Sequence, residues 1–310
     1  MIDVQWPGDV PTLVPEIERR GYHRFWVTEH HSPYQSGSPT VLAGVAAQLT
    51  RTLRIGTAGV LLGYRSPLSV AEDFKLLECL FPGRIDLGVT RGAPPPGIRE
   101  ALEDGRPAPT WDSYAARITE LVRLVRGEPA PRGVGGAREG REERDRVDGG
   151  RIGPHGVRPT APELWICGMS PAAAALAASL GTSFAFHENL ERNLETPAPV
   201  RGPALLDAYR RDLVPRPAGG SPRAVVVTSG LCARDTATAR ALWRDYTIQK
   251  NKPLQPSFLG TPEACRDALL AIARGHEVDE LVIQSHATTL DARLTSYRLL
   301  AEALGLEGPA

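Results

Sequence analysis

Short apolar runs alternate with longer stretches of helical period along most of the chain. Ile2–Trp6 predicts a strand, Val10–Arg20 a helix stopped by Gly21, and Phe25–Thr28 a second strand. Glycine just past a helix end adopts the left-handed turn without a side-chain penalty. Pro39–Thr50 carries Val41, Leu42, Val45 and Leu49 at helical spacing. Leu53–Leu62 is an apolar run broken only by Arg54, Thr57 and two glycines, as suits a parallel strand covered on both faces. Leu68–Leu80, behind Pro67, reads as a helix closed by Phe81-Pro82-Gly83, and Arg84–Val89 as the next strand.

The alternation resumes with Leu164–Cys167 as a strand and Pro171–Leu180 as an alanine-rich helix ended by Gly181. Ser183–Phe186, Ala224–Leu231 and Glu280–Gln284 predict further strands. Ala204–Leu213, Thr236–Tyr246, Pro262–Arg274 and Asp291–Leu304 predict helices, the third introduced by Thr261 with proline at the first helical position. About eight strands, nearly all followed by helices, imply an α/β fold with a parallel sheet closed as a (β/α)8 TIM barrel. A doubly wound open sheet is the alternative.

Between Gly92 and Pro159 the pattern changes. These 68 positions hold 21 of the chain's 59 Gly and Pro residues, with one helix expected at about Trp111–Arg126. Arg138–Asp148 mixes four arginines with five acids around a single large apolar residue, Val147, a composition that predicts a solvated or disordered loop. Residues 1–310 therefore read as one barrel domain, with about 127–160 a loop inserted after the fourth strand.

Composition narrows the function. In 310 residues, 36 Lys+Arg balance 36 Asp+Glu, which argues against a nucleic-acid or anionic-membrane surface. Only Lys75, Lys250 and Lys252 are lysines and none follows a glycine, so there is no Walker-type phosphate loop. Cys79, Cys167, Cys232 and Cys265 are widely spaced, which disfavours a thiolate zinc site and a disulfide framework. No apolar run reaches membrane-spanning length and the start of the chain lacks a basic leader, so a cytoplasmic protein is expected.

In a barrel of this kind chemistry gathers at the C-terminal ends of the strands. Glu29-His30-His31 follows the second predicted strand. Neighbouring residues on a strand face opposite ways, so one histidine would face the mouth, as a general base, an orienting donor or a simple rim residue. With no further ligand at close spacing, no metal is expected. Thr90-Arg91-Gly92 ends the fourth strand, and Gly168-Met169-Ser170-Pro171 joins the fifth to its helix. Ser170 is either an N-cap or, with Arg91 and the free N–H groups of the helix start, part of a phosphate clamp. His187 and His286 follow the sixth and eighth strands.

These residues resemble the bacterial luciferase-like flavin monooxygenases. The likeness rests on Gly21–Ser32 with its Glu-His-His, on Arg54–Leu62, on Ser66–Asp73 and on Phe81–Gly88, with weaker matches at Pro162–Gly181, Gly260–Glu263 and Asp279–Ala301. It implies that His30 is the catalytic histidine near the flavin's reactive edge. It likewise implies a non-proline cis peptide at Ala58-Gly59 beneath the isoalloxazine, a phosphate-binding Arg91 with Ala93 beside it, and Met169 and Ser170 next to that phosphate. The implied reaction is oxygenation of an organic small molecule with O2 and reduced FMN from a separate flavin reductase. An F420-dependent oxidoreductase and a non-catalytic flavin-binding protein are the alternatives. A homodimer through Val41–Gln48 and Phe74–Leu80 is implied as well. The first wall and the lid at Gln249–Ser257 are shorter than in the family, and with Pro94-Pro95-Pro96 would admit a bulky or carrier-tethered substrate. Thr90 stands where a reactive cysteine would, so aldehyde luminescence is not expected.

Overall fold

The computed structural model describes residues 7–31, 36–92, 94–128, 160–194, 200–215, 222–251 and 253–309. The predicted strand Ile2–Trp6 and nearly all of the Gly/Pro-rich insertion lie outside the described residues. Helix α1 (Val10–Arg19) precedes strand β1 (Arg24–Val27), and α2 (Pro39–Gln48) leads to β2 (Arg54–Thr57) and β3 (Val60–Leu61). After α3 (Pro67–Leu80) and β4 (Ile85–Thr90) come α4 (Pro96–Glu103) and α5 (Trp111–Arg126). Then β5 (Glu163–Gly168), α6 (Pro171–Ser179), β6 (Ser183–His187), α7 (Glu188–Glu191) and α8 (Gly202–Asp212) follow. The chain continues through β7 (Ala224–Cys232), α9 (Thr236–Gln249), β8 (Phe258–Gly260), α10 (Pro262–His276), β9 (Leu281–Ser285) and α11 (Leu290–Leu304).

Every strand pairing is parallel. The order is β1-β2-β4-β5-β6-β7-β8, with β3 added to β4 and β9 to β7, a half-barrel of parallel strands. The predicted strand Leu53–Leu62 is two strands, because the register on β4 moves by one residue along it. Gly56 faces Asp86, whereas Val60 faces Val89. One extra residue is accommodated at Ala58-Gly59, where the peptide bond is cis. Three elements were not expected. Helix α4 has no buried residue, its Ile98 and Leu102 being only half-buried, α7 is a single turn, and β8 is only three residues long.

Alternation along each strand sorts residues into two faces. Phe25, Val27, Ile55, Leu87, Val89, Ile166, Phe184, Phe186 and Val226 point outward into the main core under the helices. The inward positions form layers. Lowest is an ionic layer at the strand starts, where Arg24 donates to Asp86 at 2.6 Å and Arg54 to the other Asp86 oxygen at 2.5 Å. Glu280 pairs with Arg24, and Glu163 takes a 2.8 Å bond from Arg223. The Arg24 and Asp86 side chains are 1% and 0% exposed, a burial tolerable only because both are paired and hydrogen-bonded. Above lies an apolar layer in which Trp26 and Trp165 meet edge to face at 5.1 Å, ringed by Ala185, Val225 and Val282. Gly88 belongs to the same layer. A Cβ there would lie 2.0 Å from the Thr57 carbonyl, so the strands close to this spacing only around glycine. The third layer opens on the mouth.

Candidate active site

Thr28, Ala58, Thr90, Cys167, His187, Val227 and Gln284, the uppermost inward residues, floor a cavity of about 370 Å³. Its walls come from the segments beyond them, Glu29-His30-His31, Gly59, Leu61, Gly92, Pro94-Pro95 and Asn189-Leu190. A cavity of this size takes a drug-sized organic ligand.

One buried carboxylate organises the wall beside His30. Glu29 accepts from the Leu61 N–H at 2.8 Å, from Arg65 Nε at 3.0 Å and Nη2 at 2.8 Å, and from His31 Nε2–H at 2.8 Å. Arg65 also donates to the Gly37 carbonyl at 2.6 Å, and its own carbonyl accepts from Arg117 at 2.8 Å. The His30 N–H is held by Ser36 O at 3.0 Å. The carboxylate thus ties the histidine loop to the turn after Ala58-Gly59. His31 is consumed in this anchorage, while His30 is exposed at the cavity mouth.

Three histidines near the mouth are kept neutral at pH 7. The pKa of His30 lies below the usual imidazole value, first because the cavity wall takes part of its hydration; a backbone hydrogen bond at Glu29 opposes this, and the Lys250 charge reinforces it. Lys250 follows the end of α9, with Nζ 5.7 Å from the Tyr246 ring centre. Burial brings His187 down to about 4 and His286 to about 3. Burial also pushes the Cys167 thiol up to about 12, so the cysteine in the floor stays protonated and unreactive.

The predicted residues divide by position. His30, Ala58 and Gly59 line one cavity together with His187. Arg91 is exposed at the rim, beside the lining residues Thr90 and Gly92, and among the described residues no carboxylate pairs with it. Ser170 caps α6, accepting from the Ala173 N–H at 3.2 Å, and follows Gly168 of the cavity wall. Met169 packs against the main core. His286 is not among the lining residues; it stacks on Tyr246 with ring centres 4.5 Å apart. Ala93 lies outside the described residues.

A family model for luciferase-like monooxygenases matches residues 5–249. The chain belongs to the luciferase-like monooxygenase family. Accordingly it is an oxidoreductase enzyme. It is 30% identical to the protein YwcH of Bacillus subtilis (strain 168), over 94% of this chain and 91% of the relative. It is 29% identical to a luciferase-like monooxygenase of Escherichia coli (strain K12), over 91% and 86%. Among solved structures, apo-MsnO8 superposes with a TM-score of 0.78 and 27% identity, covering 100% and 99% of the two chains. More distant structures share the fold. The oxygenating constituent of 3,6-diketocamphane monooxygenase from Pseudomonas putida, in complex with FMN, has a TM-score of 0.68 at 16% identity, covering 96% of this chain and 92% of that one. An F420-dependent secondary alcohol dehydrogenase has 0.66 at 15%, covering 98% of both.

In this luciferase-like monooxygenase three groups near the mouth escaped the sequence reading. Arg65 and Glu29 are 36 positions apart and meet only when the chain folds. Lys250 had a faint signal, being one of three lysines. Asn189, on the unexpected turn α7, brings a side-chain amide to the cavity wall.

Proposed function

We propose that this chain is a monooxygenase that uses reduced FMN, delivered by a separate reductase, and O2 to oxygenate a small organic molecule. The observation that carries this reading is the shared cavity of His30 and the Ala58-Gly59 turn. Ala58 and Gly59 present almost no side chain, and the thiol and methyl groups of Cys167 and Val227 continue a low floor that suits a planar ring system. Arg91 and the first N–H groups of α6, with the Ser170 hydroxyl, would hold the FMN phosphate. Reduced FMN, when bound, supplies the two electrons that put one oxygen atom into the substrate and the other into water. The neutral His30 imidazole accepts or returns a proton at the ring's edge, and the layered barrel beneath excludes water.

Titration of the purified protein with reduced and oxidised FMN, with F420 alongside, tests the reading. Arg91→Ala is expected to weaken FMN binding by roughly 10- to 100-fold, the worth of a charge-assisted hydrogen bond. Tighter binding of F420 than FMN would replace oxygenation by hydride transfer.

The pH profile supplies a second check. Because the His30 pKa is depressed, the acid limb of kcat/KM should fall below pH 6.5, the unperturbed imidazole value. Lys250→Gln removes a charge that disfavours the imidazolium and should move that limb upward. A limb that does not move separates His30 from the proton transfer.

We further infer that the parallel array closes into a (β/α)8 barrel. Tyr22 already donates to the Tyr297 carbonyl at 2.9 Å, and Arg24 to Glu280 at 3.0 Å, linking the two ends of the array. A crystal structure with an open sheet would overturn this. The dimer is proposed on the exposed Val41 and Val45 of α2, continued by Leu76 and Leu80 on α3; Val41 is 64% exposed and Leu80 60%. Val41→Asp with Leu80→Asp should yield monomers in sedimentation equilibrium, and wild-type protein that sediments as a monomer would refute the interface.

A further inference from the structure

A second cavity, of about 440 Å³, lies behind α7, whose Asn189 and Leu190 line the first. Arg240, Arg244 and Thr247 on α9 border it. Their spacing of four and then three residues puts them on one stripe of the helix. Arg192 faces them from the residue after α7, already paired with Glu188. Arg240 and Arg244 differ from those helical arginines that a carboxylate neutralises. Arg20 has Glu16 at 2.6 Å, Arg123 has Glu120 at 2.7 Å and Arg298 has Glu302 at 3.0 Å. Among the described residues no carboxylate pairs with Arg240 or Arg244. Asp245, next in sequence, is turned about 100° away around the helix. Two like charges four residues apart oppose helix formation. Their convergence on a concavity therefore asks for an anion.

We propose that this groove binds the phosphate of an organic phosphate monoester, separately from the flavin cavity. With Arg192 neutralised by Glu188, two guanidinium charges are left over, the charge of one phosphate dianion. Guanidinium forks match phosphate oxygens in pairs. The volume exceeds that of a phosphate, and Leu254, Leu259 and the edge of Trp243 give the remaining space an apolar side. The walls are set before any ligand arrives. Asn193 donates to Gln255 O at 3.1 Å and accepts from Gln255 N at 2.7 Å, and Trp243 Nε1 donates to Leu254 O at 3.0 Å. Such a groove would hold the phosphate end of a bulky substrate, or of the group that carries it, beside the mouth.

Isothermal titration of the full-length protein with AMP, hexyl phosphate and inorganic phosphate tests this. Saturable binding of AMP or hexyl phosphate is expected, weakened tenfold or more by Arg240→Gln with Arg244→Gln and unchanged by Arg91→Ala. Both substituted arginines are exposed, and circular dichroism checks that the fold persists. AMP as the tighter ligand assigns a nucleotide-like body, and hexyl phosphate an alkyl chain. The proposal is overturned if neither organic probe binds saturably, if inorganic phosphate binds as tightly as both, or if the double substitution leaves affinity unchanged. Loss on Arg91→Ala alone would place the probes in the flavin cavity and overturn it too. FMN binding by the double variant is measured in parallel, so failure here is distinct from failure of the flavin reading.

Discussion

Asp86→Ala is expected to destabilise the fold by about 3–5 kcal/mol, the cost of removing one partner from a buried ion pair. Asp86 accepts from Arg24 at 2.6 Å and Trp26 at 2.8 Å through one oxygen, and from Arg54 at 3.0 and 2.5 Å through the other. Without it the Arg24 guanidinium loses its fully buried carboxylate, and the Trp26 N–H loses its acceptor, both within a site closed to water. Against a total stability of about 5–15 kcal/mol such a loss leaves little reserve. Asp86→Asn should cost less, because its amide oxygen still accepts the two hydrogen bonds made to one carboxylate oxygen. Urea denaturation of the three proteins decides; a loss under ~1 kcal/mol for the alanine variant, the size of a surface pair, would mean the ionic layer is not what joins the strand starts.

His30→Ala is the substitution expected to damage turnover most. A positioned proton-transfer group contributes about 10²–10⁴ in rate, and kcat should fall within that range while FMN affinity changes little. His31→Ala is the matching control. Its ring nitrogen holds Glu29, which retains Arg65 and the Leu61 N–H, so its effect should stay within about tenfold of wild type, the loss of one ordinary hydrogen bond. If the two variants lose activity equally, the division between a reacting and an anchoring histidine fails.

Much of this fold is legible in the sequence because the strands are short apolar runs and their helices carry clear end signals, such as Thr261-Pro262 and Gly305. The ionic layer is not. Arg24, Asp86, Glu163 and Glu280 stand at or beside strand starts, where charge reads as the edge of a loop; only curvature of the sheet turns them inward together. Residue pattern alone also missed the interruption at Ala58-Gly59, since apolar character continues across it, and the cis bond was expected only through family likeness. Helix α4 was hidden by its exposure and β8 by its length. At the site, Glu-His-His was conspicuous as three neighbours, yet their separate roles depend on Arg65 and Leu61, over thirty positions downstream.

The grip of Glu29 on Leu61 and Arg65 has a consequence for altering this enzyme. It welds the loop of His30 to the Ala58-Gly59 turn, so the spacing between them is set when the chain folds and does not depend on the rest of the rim. Pro94, Pro95 and Leu190 line the same cavity but belong to other segments that Glu29 does not touch. A library confined to those three positions can reshape what the mouth admits while the distance from histidine to floor stays constant. The rim is the variable part of a fixed instrument, and selectivity can drift there without retuning the chemistry.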